Sequence, residues 1–156
     1  MNTSMFDQLI SQIGREYFTS DWFEIDRDHL TQFAWSTYLD EEYVDLTTSD
    51  NNPLGAELVE GFHLLSLLMY FKFKYAPRYT KGQWGFNYGL NKVRFTSPVM
   101  LGQRVRVRSS LTAAEPRGDG ILVTTDNVID VEGRDKPAMV AEWLTLWYGG
   151  DPHERS

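Results

Sequence analysis

The chain has 156 residues, 42% apolar and 14% aromatic, which is enough for one globular domain with a real core. Its formal net charge of −7 argues against nucleic acid or an anionic membrane as the main partner. The absence of cysteine excludes disulfides and thiolate chemistry and is compatible with a cytoplasmic location. We therefore predict a single cytoplasmic domain over residues 1–156, with its core at about 22–148 and a short tail at 149–156.

The first forty residues predict two helices separated by a short strand. An amphipathic apolar pattern indicates a helix over residues 4–14, with Gly14 as the stop. Residues 22–25 have the composition of a strand. Asp26 is suited to cap the next helix, predicted over 27–38, because its carboxylate can accept from free amides of the first turn.

A long apolar helix is predicted to begin at Pro53, whose ring presets a helical φ, and to end near Tyr75. Its apolar positions nearly surround it, which predicts burial on most sides. This apolar segment is interrupted by Glu60, His63 and Lys72, which indicates a core helix and not a membrane span.

The second half of the chain has the pattern of antiparallel strands. Valine and arginine alternate over residues 104–108, which indicates a strand with one solvated face. Residues 121–131 and 139–148 form two more predicted strands, and 116–120 and 132–137 have the composition of turns. One buried helix followed by several long strands predicts an α+β fold in which an antiparallel sheet packs on a helix.

Two segments carry a family resemblance, namely Pro53-Leu-Gly-Ala-Glu-Leu-Val-Glu-Gly-Phe62 and Asn87-Tyr-Gly-Leu-Asn-Lys-Val-Arg-Phe95. The pair resembles the MaoC-like hydratase/dehydratase family, close to its NodN-like branch, over roughly residues 25–148. The resemblance implies the hotdog fold, in which a curved antiparallel sheet wraps around one long central helix.

The resemblance also implies a site. The family uses an Asp-x4-His pair before the central helix for proton transfer, and a backbone N–H near the helix start holds the thioester oxygen. Aligning the motifs puts Glu60 where the family has a His and puts Gly61 at the oxyanion position, although close helix–sheet packing explains Gly61 equally well. One alignment keeps the spacing of the pair with Asp40 and Asp45, and the catalytic His is absent.

Four side chains are candidates for the acid and base. Asp40 and Asp45, if close together, would raise one pKa by mutual repulsion; the alternative is a solvated acidic turn. Glu60 and His63 lie one turn apart and can share a face; the alternative is a hydrogen-bonded core histidine. We favour His63 with Asp40, because an imidazole and a carboxylate can divide the two roles.

Further candidates would bind substrate. In an alternating strand, Asn87, Gly89 and Asn91 share one face, where an amide would contact substrate or satisfy buried backbone groups. Arg94 and the arginines of 104–108 would hold coenzyme A phosphates or an acidic acyl carrier protein; the alternative for 104–108 is a soluble sheet face.

The favoured hypothesis is a hydratase/dehydratase acting on an enoyl or 3-hydroxyacyl thioester with a rearranged acid–base set. The alternatives are a non-catalytic hotdog subunit that partners an intact hydratase, or a cyclase, isomerase or thioesterase on the same scaffold. The histidines lack metal-ligand spacing, so we expect no metal and no cofactor beyond a carrier of the substrate. We also expect a homodimer, or a heterodimer with another hotdog protein, and weak turnover of short, straight enoyl thioesters.

Overall fold

The computed structural model describes residues 5–39, 54, 57–77 and 82–149. Its helices are α1 (Met5–Gln12), α2 (Arg27–Ser36) and α3 (Gly61–Tyr75). Its strands are β1 (Glu16–Thr19), β2 (Phe23–Glu24), β3 (Leu58–Val59), β4 (Trp84–Phe95), β5 (Val99–Met100), β6 (Arg104–Arg117), β7 (Gly120–Val131) and β8 (Met139–Tyr148).

The main sheet is antiparallel and wraps around α3. Its strand order is β1-β6-β7-β8-β4, with β2 pairing β6 beside β1. A separate small ladder joins β3 to β5. Apolar side chains of α3 fill the space against the sheet, and the ring of Phe71 at its centre is fully buried. This arrangement confirms the predicted α+β hotdog fold.

The alternation of residues 104–108 confirms the predicted half-buried strand. Val105 and Val107 are fully buried, and the arginines between them lie on the solvated face. There Arg106 and Arg108 both donate to Asp130, and the hydrogen bond from Arg108 is the main reason why the pKa of Asp130 is lowered. Because these arginines already have carboxylate partners, the structure favours the solvated sheet face over phosphate binding here.

Helix α2 begins as predicted. The Asp26 carboxylate accepts a hydrogen bond of 2.8 Å from the backbone N–H of His29, and this bond holds the pKa of Asp26 below its ordinary value. The His29 ring also bonds to Asp26 at the surface. Helix α1 ends at Gln12, slightly before the predicted limit, and Gly14 takes a positive φ of 79° in the turn that follows.

The predicted start of the central helix is wrong. Helix α3 begins at Gly61 and not near Pro53, which lies outside the described residues. Leu58 and Val59 instead pair with the β5 strand, and Glu60 keeps an extended ψ of 136°. Strand pairing and the extended residue prevent the helix from starting earlier, although the composition of the segment is compatible with a helix.

Two bulges break the alternation of β4. The register against β8 shifts between Asn87 and Gly89 and again between Leu90 and Lys92. Asn87 consequently faces α3, whereas Asn91 bonds to Glu142, which points away from the helix. The expectation that Asn87, Gly89 and Asn91 share one face is therefore wrong, because each bulge inserts one extra residue into the period of two.

Candidate functional site

The first turn of α3 presents free backbone donors. Amides at the start of a helix have no acceptor four residues earlier within it. Within the described part of the chain, the amide of Leu64 is the first of this helix with a backbone acceptor, the Glu60 carbonyl at 3.1 Å. The Glu60 side chain makes no capping hydrogen bond. The amides of residues 61–63 and the helix dipole therefore create a position that favours a negatively charged oxygen.

Gly61 stands at this position because of packing as well as chemistry. A Cβ atom placed on Gly61 would lie 3.0–3.1 Å from three ring atoms of Phe95 on β4. Such contacts are too short for carbon atoms that do not move. The absence of a side chain thus lets α3 approach the sheet closely, so the packing explanation has direct geometric support.

His63 is the buried titratable group of this turn. Its side chain is 6% exposed, and its ring stacks on Phe33 of α2 with centroids 4.5 Å apart and planes 6° apart. Its Nδ1 atom has no hydrogen-bond partner among the described residues. Burial lowers the pKa of His63, and the nearby His29 ring acts in the same direction. The imidazole is therefore neutral at pH 7 and able to accept a proton.

Of the other acid–base candidates, only Glu60 belongs to the described residues. Asp40 and Asp45 lie outside the described residues. Glu60 precedes the helix in extended conformation and is half-buried. The alternative interpretation was a core histidine whose ring nitrogens are hydrogen-bonded. Within the described part of the chain, Nδ1 has no such bond, so the alternative is not supported for this atom.

A largely apolar groove runs between α3 and β4. It encloses about 280 Å³ and opens to the surface. Its helix side includes Ser66 and Met69, and its strand side includes Asn87 and Leu90. The indole of Trp143 on β8 also lines it. A groove of this shape and lining fits an apolar chain with few polar contacts.

Asn87 places a polar group in this groove. Its Oδ1 accepts from the Trp143 indole N–H at 3.1 Å, and its Nδ2 faces the Met69 sulfur at 3.2 Å. Arg94 lies farther along β4, exposed, with one guanidinium N–H bonded to the neighbouring Val93 carbonyl. Of the two candidate binding residues of β4, Asn87 therefore lines the groove, and Arg94 lies on the surface.

Lys72 is a buried cation that sequence reasoning missed. Its side chain is 7% exposed, and its Nζ lies 4.8 Å from the Trp143 ring centroid and 4.5 Å from that of Trp147. Nζ donates to Thr145 at 3.0 Å. Burial lowers its pKa from 10.5 to about 7. The available signal was a lysine in an apolar helix at spacings of four and seven residues from Leu68 and Leu65.

Within the described ranges, no cluster of three or more His, Asp or Glu side chains is placed to hold a metal ion. None of the helices in those ranges is long and apolar enough to cross a membrane.

Comparisons with known proteins place this geometry in a family. The model of the MaoC-like domain matches residues 9–132. Nodulation protein N of Rhizobium leguminosarum bv. viciae is 36% identical over 149 residues, covering 93% of this chain and 91% of that protein. The 3-hydroxyacyl-thioester dehydratase Z of Mycobacterium tuberculosis is 38% identical over 143 residues, covering 89% and 93%.

A solved structure shows the same architecture. The MaoC-like dehydratase from Rhodospirillum rubrum superimposes with a TM-score of 0.66 at 16% identity, covering 90% of this chain and 94% of that one. Fold and geometry together define a hotdog protein with an apolar groove beside its central helix. The chain belongs to the MaoC-like hydratase/dehydratase family, as its motifs predicted.

Proposed function

We propose that the protein adds water to an enoyl thioester, or removes it from a 3-hydroxyacyl thioester, at the start of α3. The observation that carries the proposal is the buried imidazole of His63, whose Nδ1 has no partner among the described residues, in the first turn of α3. A relative with 38% identity named as a 3-hydroxyacyl-thioester dehydratase supports the same class of reaction.

The proposed dehydration uses these groups as follows. A base removes a proton from carbon 2, and the electron pair moves toward the thioester carbonyl. The negative oxygen accepts hydrogen bonds from amides of residues 61–63. The oxygen on carbon 3 then leaves with a proton from an acid, which produces water and the double bond. Hydration is the reverse sequence.

We assign the base to His63 and keep Asp40 as its acid partner. A neutral imidazole accepts a proton readily near pH 7, and a carboxyl group returns one. Asp45 and Glu60 are the remaining candidates for the acid. Gly61 is proposed to supply one of the amides that hold the thioester oxygen, and its lack of a side chain lets the helix start lie close to the sheet.

The groove between α3 and β4 is proposed to hold the acyl chain. Its lining is mainly apolar, as an acyl chain requires. Arg94, which is exposed on β4, is the proposed contact for the phosphates of coenzyme A or of an acyl carrier protein. Such carriers, together with the cysteine-free sequence, fit a cytoplasmic site of action.

The surface of α3 and β4 supports a dimer. Strand β4 pairs with β8 on one side and forms an end of the main sheet path. Large apolar side chains are exposed along this edge and on the adjacent helix: Phe62, Phe73, Phe86, Leu90 and Phe95. An exposed long edge with apolar side chains is a surface that proteins normally cover. We propose a second copy of this chain as the cover, with another hotdog subunit as the alternative.

The function is tested with crotonyl-CoA and trans-2-decenoyl-CoA, following the loss of enoyl absorbance. His63→Asn removes the group that exchanges the carbon 2 proton and should lower kcat at least a hundredfold, the usual contribution of general acid–base catalysis. His29→Asn is the matched control, because His29 lies exposed on α2, and it should retain turnover.

The pH profile gives an independent readout. Hydration reverses the roles of the groups, so protonated His63 delivers the proton to carbon 2. Because burial lowers the pKa of His63 below 6.5, kcat/KM for hydration should rise as the pH drops toward that lowered value. Full turnover by His63→Asn would refute the assignment of the base. No hydration of either thioester by the wild-type protein would refute the proposed activity and favour the non-catalytic subunit.

A further inference from the structure

We propose that the groove selects an acyl chain carrying an acceptor oxygen far from the thioester, and that Asn87 is the residue that recognises this oxygen. The inference rests on the proposed function, because it takes the ligand to be an acyl thioester. It adds the substrate class: chains with a keto, ether or hydroxyl oxygen in their distal part.

The orientation of the Asn87 amide is fixed by its neighbour. An indole N–H can only donate, so the Asn87 atom facing Trp143 at 3.1 Å is the carbonyl oxygen. The amide nitrogen must then face Met69, where its contact is a thioether sulfur at 3.2 Å. Thioether sulfur is a weak acceptor, and the amide nitrogen carries two N–H groups. The groove therefore contains a donor that is poorly satisfied by the protein.

Buried groups beneath the groove hold this donor in place. The Trp143 ring lies over the Lys72 ammonium, whose Nζ donates to the Thr145 hydroxyl. The Trp147 indole N–H donates to the same hydroxyl at 2.8 Å. These residues belong to α3 and β8, which are packed elements of the core. A donor positioned on such a support is preorganised for a ligand.

We therefore expect an acyl chain with a distal oxygen to bind more tightly than a purely apolar chain. In the open groove, water satisfies the Asn87 N–H groups. A purely apolar chain that displaces this water leaves them with the sulfur alone, whereas a chain with an acceptor oxygen replaces the lost hydrogen bond. Because Asn87 is partly exposed to solvent, the cost of leaving its N–H groups unpaired lies at the lower end of the penalty for a buried donor, which corresponds to roughly a five- to tenfold preference for the oxygenated chain.

The position of Asn87 sets where the oxygen must be. Its contact residue Met69 is eight positions after Gly61, which corresponds to roughly 12 Å along α3 at the helical rise per residue. That span is too long for the reacting oxygen, which lies only three bonds from the thioester carbon. The recognised oxygen is thus a second one, toward the far end of the chain.

The test compares trans-2-decenoyl-CoA with 9-oxo-trans-2-decenoyl-CoA, whose extra carbonyl can only accept. Wild-type protein should show at least a fivefold higher kcat/KM for the oxo compound. Asn87→Asp keeps the acceptor for Trp143 and replaces the donor with an oxygen, so the preference should disappear or reverse. Ser66→Ala is the matched groove control and should keep the wild-type ratio, because the Ser66 hydroxyl already donates to the Phe62 carbonyl.

Trp143→Phe is a second variant, which tests the same prediction if Asn87→Asp does not fold. It removes the indole N–H, releases the amide and should bring the ratio toward one. Equal kcat/KM for the two thioesters in the wild type would overturn the inference, as would an unchanged ratio in the variant that folds.

Titration calorimetry with the same two thioesters separates this inference from the proposed function. A Kd ratio that favours the oxo compound and is lost in Asn87→Asp, with no turnover of either compound, supports recognition by Asn87 and refutes the hydratase activity. Turnover of both compounds at equal efficiency, with equal Kd values, supports the activity and refutes the recognition. No binding of either compound refutes both.

Discussion

Replacing Lys72 with methionine should stabilise the protein and flatten the dependence of its stability on pH. Lys72 is 7% exposed, and no described carboxylate lies within salt-bridge distance of its Nζ. Burial of the cation lowers its pKa from 10.5 to about 7. Methionine has a similar length and carries no charge, so Lys72→Met removes the cost of burying the ammonium while retaining the packing volume.

The magnitude follows from the two pKa values. A fall from 10.5 to about 7 corresponds to about 5 kcal/mol of unfavourable interaction for the charged form. The two indole rings and Thr145 attract the ammonium and offset part of this cost, by up to about 2 kcal/mol for each desolvated ring. We therefore expect Lys72→Met to raise the free energy of unfolding at pH 7 by roughly 1–4 kcal/mol.

The sign of the pH dependence is determined by the depressed pKa. Between pH 7 and 10.5 the unfolded chain binds the Lys72 proton and the folded protein does not, so stability rises with pH across this window. Below about pH 7 both states are protonated, and the full penalty is present. Lys72→Met should remove a slope of up to about 1.4 kcal/mol per pH unit.

Urea unfolding at pH 7, 8, 9 and 10, at one protein concentration, measures this difference. Other titrating groups are common to both proteins and cancel when the slopes are subtracted. Lys74→Met is the matched control, because Lys74 lies exposed on the same helix and its pKa is raised by Tyr70, so its removal should not flatten the slope. Equal slopes for the wild type and Lys72→Met would show that Lys72 ionises normally and refute the reasoning.

Two further predictions follow from the packing of α3. Gly61→Ala should lower the free energy of unfolding by roughly 1–3 kcal/mol, because its Cβ meets the Phe95 ring; chemical denaturation should show a smaller loss in a Phe95→Leu background. Sedimentation velocity at micromolar concentration should show that the wild type is a dimer. Phe73→Glu should weaken this dimer, whereas Trp35→Glu, at an exposed control position on α2, should leave it intact. A monomeric wild type would contradict the proposed interface.

The sequence by itself determined the elements that depend on local chemistry. The valine–arginine alternation of 104–108 predicts β6, since a period of two places one set of side chains on each face. Asp26 predicts the start of α2 because its short carboxylate reaches the free amides of the next turn. The limits of β8 at 139–148 were also predicted correctly. Family membership followed from two short motifs, which are local features too.

Only the tertiary structure decided the features that depend on contacts distant in sequence. Helix α3 starts at Gly61 because Leu58 and Val59 pair with a strand some forty residues later. The β4 bulges, which turn Asn87 and Asn91 to opposite sides, arise from pairing with β8. Strand β1, which the sequence reading missed, exists through its pairing with β6.

The candidate site shows the same division. Its residue types, a histidine and a glycine near a helix start, were visible in the chain. Whether the His63 ring is buried, and whether its Nδ1 has a partner, depends on Phe33 and the sheet, which approach it from elsewhere. The position of Lys72 between two indoles of β8 likewise does not follow from its helix spacing alone, because burial is set by what packs against a side chain and not by its neighbours in sequence.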